Sequence, residues 1–284
     1  MKILSFGEII WDIYPSKKCI GGAPLNFAAH AANEGADVLL LSAVGYDELG
    51  MDALEIIKRH GVDISLISVK AAFPTGRCTV TLSELGVPSY KIEENTAYDA
   101  IPMPQAEEMG SFDAFAFGSL ALRGENNRKV VKDLLARNIA KEIFVDINLR
   151  SPFYSKENVL FCLENATILK VSNEELQSVA LTAFDKELGN EDAIERLLNE
   201  FENIKLLILT CGADGSVAYD AENGDVFKCE PKKVEVVSTV GAGDSYGAAF
   251  IVSYLSGRSI PECLLRATEV SAEVVSRAEA LPIL

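Results

Sequence analysis

The sequence predicts an α/β fold: a three-layer αβα sandwich on a mainly parallel sheet, with a small β-hairpin outside it. Three observations carry this. Between Ala114 and Leu209, apolar runs of strand length alternate with stretches of helical periodicity, and alternating βα units imply a parallel sheet with helices on both faces. The first run, Lys2 to Ile10, is apolar almost throughout, as in a strand buried on both faces. From Phe73 to Ile92 the rhythm changes to polar–apolar alternation, the mark of a hairpin outside the βα units. The chain, residues 1–284, reads as one domain.

Taken in order, the Lys2–Ile10 strand leads to Asp12, placed beyond its end, where ligands bind in open α/β sheets; an ordinary turn aspartate is the other reading. Gly21 and Gly22, then Pro24 and an alanine-rich run to Asn33, give a loop entering a helix. Asn26 in its first turn offers both a donor and an acceptor, which suits a polyol. His30, one turn on, reads as a packed helix residue. Val38 to Val44 is a second buried strand. Asp47 caps the helix that ends at His60 and Gly61. The Arg77–Leu82 and Ser89–Ile92 strands flank a turn around Gly86-Val87-Pro88, and Glu94 to Asp99 leads back to the main sheet.

Strands are then expected at Ala114–Phe117, Glu142–Asp146, Thr167–Leu169 and Leu206–Leu209, with helices near 126–137, 156–164, 173–181 and 191–201. Asp146 to Arg150 falls at a strand end. Arg150 there suits a phosphate or an acidic sugar, or a structural salt bridge. Ser172 with Glu175 three residues on is a capping box. Ser216–Tyr219 and Val226–Cys229 form a hairpin, Val234–Val237 a short strand, and Pro261 starts the last helix.

The chain is organised around Ser238 to Phe250, STVGAGDSYGAAF: strand, glycine turn, helix N-terminus. Glycines allow close backbone approach, and the free N–H groups and dipole of a helix start favour an anion such as phosphate. Asp244 in that first turn suits a site that moves a proton during phosphoryl transfer, with the Gly241–Ala242–Gly243 amides on the transferring group. An aspartate capping a close-packed helix fits the same residues.

A net charge of −16 argues against nucleic acid or an anionic membrane as partner. It leaves a local amide nest for an anion open. No apolar run reaches the roughly 18 residues of a membrane span. Glu8 and Asp12 interrupt the N-terminal run too early for a signal peptide. The six scattered cysteines read as reduced thiols, about four of them buried, and the location as cytoplasmic. His30 and His60 lie far apart with no cysteine cluster, which argues against zinc. There is no G-x-S-x-G, no G-x-x-x-x-G-K-[ST], and no G-x-G-x-x-G after the first strand, which disfavours an α/β-hydrolase, a P-loop enzyme and a dinucleotide-binding dehydrogenase.

Thr239, Gly241, Ala242, Gly243 and Asp244 resemble the C-terminal signature of the ribokinase-like (PfkB) carbohydrate kinases, D-T-x-G-A-G-D-x-F. Ser238 and Tyr246 stand where that pattern has Asp and Phe. The resemblance runs nearly end to end. GGAPLN at Gly21–Asn26 looks most like the fructokinase branch, and Gly45 to Gly50 matches the N-terminal signature. The T-x-G-x-x-G nucleotide loop is similar at Thr210, Gly212 and Gly215. The N-x-x-E segment aligns with Ser172–Glu175, and the A-N-A…G-A end with Ala267–Ala280, where Thr268 and Glu279 depart.

The resemblance implies an ATP-dependent sugar kinase with Asp244 as base. Asp12, Gly22, Asn26 and Arg150 would meet the sugar. Thr210, Gly212, Gly215, Thr239 and Thr268 would meet the nucleotide, and Glu175 would organise Mg2+. Segments at about 12–20 and 73–95 would form a small β-sheet lid that closes over the sugar and pairs two copies in a homodimer. The family's aspartate at the Ser238 position helps hold a monovalent cation, so weak potassium activation at most is expected. Fructose is the substrate these residues favour. The alternatives are 2-keto-3-deoxygluconate, a nucleoside, and a non-catalytic sugar or nucleotide sensor on the same fold.

Overall fold

The computed structural model describes residues 1–82, 88–105 and 109–281. Its main sheet has nine strands in the order β13-β12-β11-β10-β9-β8-β1-β4-β5: β1 (Lys2–Phe6), β4 (Asp37–Gly45), β5 (Ile67–Lys70), β8 (Phe112–Phe117), β9 (Ala140–Asp146), β10 (Ile168–Ser172), β11 (Leu206–Thr210), β12 (Ser216–Asp220) and β13 (Val226–Cys229). All neighbours are parallel except β11/β12 and β12/β13. The second sheet, order β3-β2-β6-β7, is built from β2 (Ile10–Ile13), β3 (Lys18–Gly21), β6 (Gly76–Leu82) and β7 (Pro88–Ile92).

Helices α1 (Ala23–Asn33), α2 (Glu48–Arg59), α7 (Ala242–Leu255) and α8 (Ile260–Val275) cover one face of the main sheet. Helices α3 (Glu125–Ala136), α4 (Lys156–Asn165), α5 (Asn173–Phe184) and α6 (Asn190–Glu200) cover the other. This is the expected three-layer sandwich. Helices α1 and α7 are apolar nearly all round and accordingly buried. Phe27 of α1 stacks on Phe144 of β9 at 5.5 Å. Gly247 lets α7 approach that ring, since a Cβ there would lie 2.9 Å from it. Among the described residues no helix is long and apolar enough to cross a membrane.

The structure redraws several expected elements. The Lys2–Ile10 run is two strands in different sheets: β1 stops at Phe6, the chain turns at Gly7 (φ +147°), and β2 begins at Ile10 in the lid. Both pieces are buried, so the apolar pattern could not show the break. Asp12 therefore lies within a lid strand, not beyond a main-sheet strand. Strand β5 was not expected from the sequence. The Val234–Val237 run is not a strand: it joins neither sheet, and among the described residues only its Val237 N–H finds a backbone partner, Val275 O. Strand β10 runs past Leu169 to Ser172. Gly86 and Val87 of the expected lid turn lie outside the described residues. Three cysteines are buried, Cys78, Cys162 and Cys263, rather than about four, and all six are free.

Candidate active site

The strand ends of the main sheet, the lid and the start of α7 enclose a cleft of about 1960 Å³. That is room for more than one small ligand. Every residue that the sequence proposed for a site lines it: Asp12, Gly22, Asn26, Arg150, Glu175, Thr210, Gly212, Gly215, Thr239, Gly241, Ala242, Gly243, Asp244 and Thr268.

At its centre is the N-terminus of α7. Gly241 adopts φ +79°, and a Cβ there would sit 2.7 Å from Ala280 Cβ, so only glycine fits the turn. The first turn carries no side-chain cap, which leaves its amides ready for an anion. Asp244 does not cap the helix. Its Oδ2 accepts a 2.7 Å hydrogen bond from Asn26 Nδ2. Burial raises the Asp244 pKa above the usual carboxylate value. The Asn26 hydrogen bond and the charges of Lys170 and Arg150 pull it back.

The residues that the sequence proposed for a sugar converge from α1 and the lid. Asn26 enters through Gly22, where φ is +109° and a Cβ would strike Glu8 O at 2.5 Å. Pro24 presets the first turn. Asn26 Oδ1 is buried without a partner among the described residues, an acceptor whose cost is relieved when a donor arrives. A Cβ built on Gly21 would lie 3.9 Å from both Asn26 Oδ1 and Asp12 Oδ2, so these two acceptors face the same space. Burial also raises the Asp12 pKa, with Cys78 donating to the carboxylate and Arg150 opposing the shift. Arg150 is exposed at the mouth and makes no ion pair among the described residues, so the structural salt bridge is absent.

Glu175 is occupied. Oε2 accepts from Ser172 N at 3.1 Å and Ser172 Oγ at 2.8 Å, and Oε1 accepts from Leu149 N at 2.7 Å. The capping box is therefore formed. Among the described residues no three His, Cys, Asp or Glu side chains form a metal cage. This donor set fits a magnesium ion carried chiefly by phosphates and water.

The pattern of the pfkB family carbohydrate kinases matches residues 16–283. The chain belongs to this family. It is a carbohydrate kinase. It is 30% identical to a fructokinase of Solanum tuberosum, over 94% of this chain and 85% of that one. It is 29% identical to fructokinase-2 of Solanum lycopersicum, over 94% and 86%. The fold matches the fructokinase from Xylella fastidiosa with bound ATP at TM-score 0.86 and 22% identity, over 98% and 93%. It matches the fructokinase from Vibrio cholerae in a fructose, ADP and calcium ion bound form at TM-score 0.83 and 20% identity, over 98% and 94%.

Two departures from the family pattern fit each other in space. The Tyr246 hydroxyl, absent from the usual Phe, is buried and donates to Ser216 Oγ at 2.7 Å, with Thr268 as a second partner. Three residues at or next to the site make contacts that the sequence reading did not foresee. Glu8 is buried behind Gly22, where burial pushes its pKa up to about 7 even though the Glu8 and Ala23 amides stabilise the carboxylate. His30 is a buried packing residue as expected, but its Nε2 also bonds Ala280 O at 2.7 Å, tying α1 to the segment behind the glycine turn. Lys170 is buried beneath Gly243. A lone Glu, His or Lys in an apolar run carries no motif, so only the fold reveals these three.

Proposed function

We propose that this carbohydrate kinase is an ATP-dependent fructokinase. The observation that carries the reading is the 2.7 Å contact between Asn26 and Asp244. It joins the hydroxyl-binding segment to a carboxylate in the uncapped first turn of α7, so a sugar hydroxyl and an anion can meet there. In this reading Asp12, Gly22 and Asn26 orient the sugar, and Asp244 takes the proton of its primary hydroxyl. The hydroxyl oxygen bonds to the γ-phosphorus while the bond to the ADP oxygen breaks and its electron pair leaves with ADP. The Gly241–Gly243 amides stabilise charge on the transferring group. Thr210, Gly212, Gly215, Thr239 and Thr268 line the nucleotide side. Magnesium, with Glu175 reaching it through water, would neutralise phosphate charge.

The two sheets act as one domain, the lid excluding water that would compete as acceptor. The open lid edges β3 and β7 are where a second copy would pair. The free thiols suit a reducing cytoplasm.

Fructose is favoured by the fructokinase relatives and by Asp12, whose carboxylate repels an acidic substrate beside it. A second reading, 2-keto-3-deoxygluconate, is favoured by Arg150, a cation at the mouth with no partner carboxylate among the described residues. A nucleoside is disfavoured because no aromatic cluster lies near Asp12 in the sequence beyond Trp11 and Tyr14, and Trp11 is buried with its Nε1 donating to Leu49 O. The test is kcat/KM for fructose against 2-keto-3-deoxygluconate on one enzyme sample. Preference for fructose supports the proposal. A tenfold or larger preference for the acid, abolished by Arg150→Ala, replaces it with the second reading.

A further inference from the structure

We propose that Lys170 is a catalytic residue: its ammonium, fixed by Asp146 under the glycine turn, takes up charge on the transferring phosphoryl group. This rests on the phosphoryl-transfer reading of the turn. Lys170 lies mid-strand in β10, only 3% exposed. Its alkyl chain runs under Gly247, where a Cβ would sit 3.6 Å from Cδ. Its Nζ stops at Gly243, where a Cβ would sit 3.2 Å from it. The cation is thus placed at the amides that face the anion, and the absence of a Cβ at Gly243 keeps that approach open.

Asp146 Oδ2 holds the ammonium at 2.7 Å, and Glu175 and Asp244 add negative charge around it. A buried ion pair that served stability alone would be replaceable by apolar residues at little or no cost. What apolar residues cannot supply is a preorganised positive charge in a dry site, where it acts on developing charge far more strongly than in water. The other cleft cations, Lys17, Lys18, Arg150, Lys232 and Lys233, lie on its partly or fully exposed rim. Lys170 alone among the described cleft cations is buried against the first turn of α7.

The test compares wild type, Lys170→Met, Asp146→Asn and the double variant. One arm reads kcat at saturating sugar and ATP. The other reads the affinity for ADP with aluminium fluoride relative to ADP alone. Lys170→Met should lower kcat by about 10²–10³, the usual loss on removing one such donor. It should also remove at least about tenfold of the gain in affinity that aluminium fluoride brings. Asp146→Asn should cost about tenfold. The double variant should be no faster than Lys170→Met. It leaves no lone buried charge, so it carries the test if Lys170→Met does not fold. A double variant restored to near wild-type turnover would show a purely structural pair and overturn the proposal, as would full turnover by Lys170→Met. A wild type silent on every sugar would count against the proposed function instead. The aluminium fluoride arm would still decide Lys170, and a wild type that gains nothing from the fluoride would overturn it.

Discussion

Asn26 Nδ2 and Asp244 Oδ2 meet at 2.7 Å across 218 positions of sequence. In the proposed function this bond ties the sugar side of the cleft to the phosphate side. It also lowers the pKa of a carboxylate that burial raises. Asn26→Ala should therefore move the acid limb of the kcat–pH profile upward and raise KM for sugar. The loss in kcat/KM at neutral pH should be about ten- to a hundredfold, matching a hydrogen bond to a charged group. Asn26→Asp should do worse near neutrality, because two carboxylates at that distance cannot both ionise, and should recover as pH rises. An unchanged profile in both variants would contradict this coupling.

Glu8 predicts a pH-dependent stability. Its carboxyl rises from 4.5 unfolded to about 7 folded. The folded chain therefore binds this proton more tightly, and the Glu8 contribution favours folding below about pH 4.5, is lost between about 4.5 and 7, and stays lost above. The full span is worth about 3 kcal/mol. Glu8→Gln cannot titrate. The difference in Tm, Glu8→Gln minus wild type, should climb through that window and level off above it. A flat difference from pH 5 to pH 8 would show that Glu8 titrates normally.

Arg123 pins the return from the lid. Its Nε and Nη2 fork onto Asp99 at 2.7 and 2.8 Å, Nη2 also reaches Glu93 O at 2.7 Å, and the guanidinium lies 4.9 and 4.8 Å from the ring centres of Tyr98 and Phe153. Arg123→Ala strands a mostly buried carboxylate and should cost about 3–5 kcal/mol in urea unfolding. Arg123→Lys should recover little, because an ammonium cannot fork or stack in the same way. A loss no larger than that of an exposed ion pair would refute the role.

Ser238 predicts weak potassium activation. Its hydroxyl accepts from Val240 N at 3.3 Å and offers no formal charge to a cation. Turnover with potassium should differ little from turnover in a bulky ammonium salt. A large potassium-dependent rise in kcat would contradict it.

Much of this was legible in the sequence, and the failures have physical causes. The βα rhythm gave the sheet and both helix layers because each strand is a separate apolar run. The glycine turn was legible because Gly241 sits at positive φ where a side chain would collide with Ala280. The break between β1 and β2 was hidden because both pieces are buried, and periodicity reports burial, not sheet membership. Strand β10 was cut short, and Lys170 passed over, for one reason. A lysine in an apolar run reads as the end of a strand, whereas here a partner 24 residues upstream, Asp146, lets it stay inside.

The most direct test of the account is Asp244→Asn, assayed for kcat at saturating fructose and ATP, with both dissociation constants measured by calorimetry. The account predicts a fall in kcat of about 10²–10⁴, the worth of a general base, with both ligands still bound. Near-full turnover by the variant would contradict it.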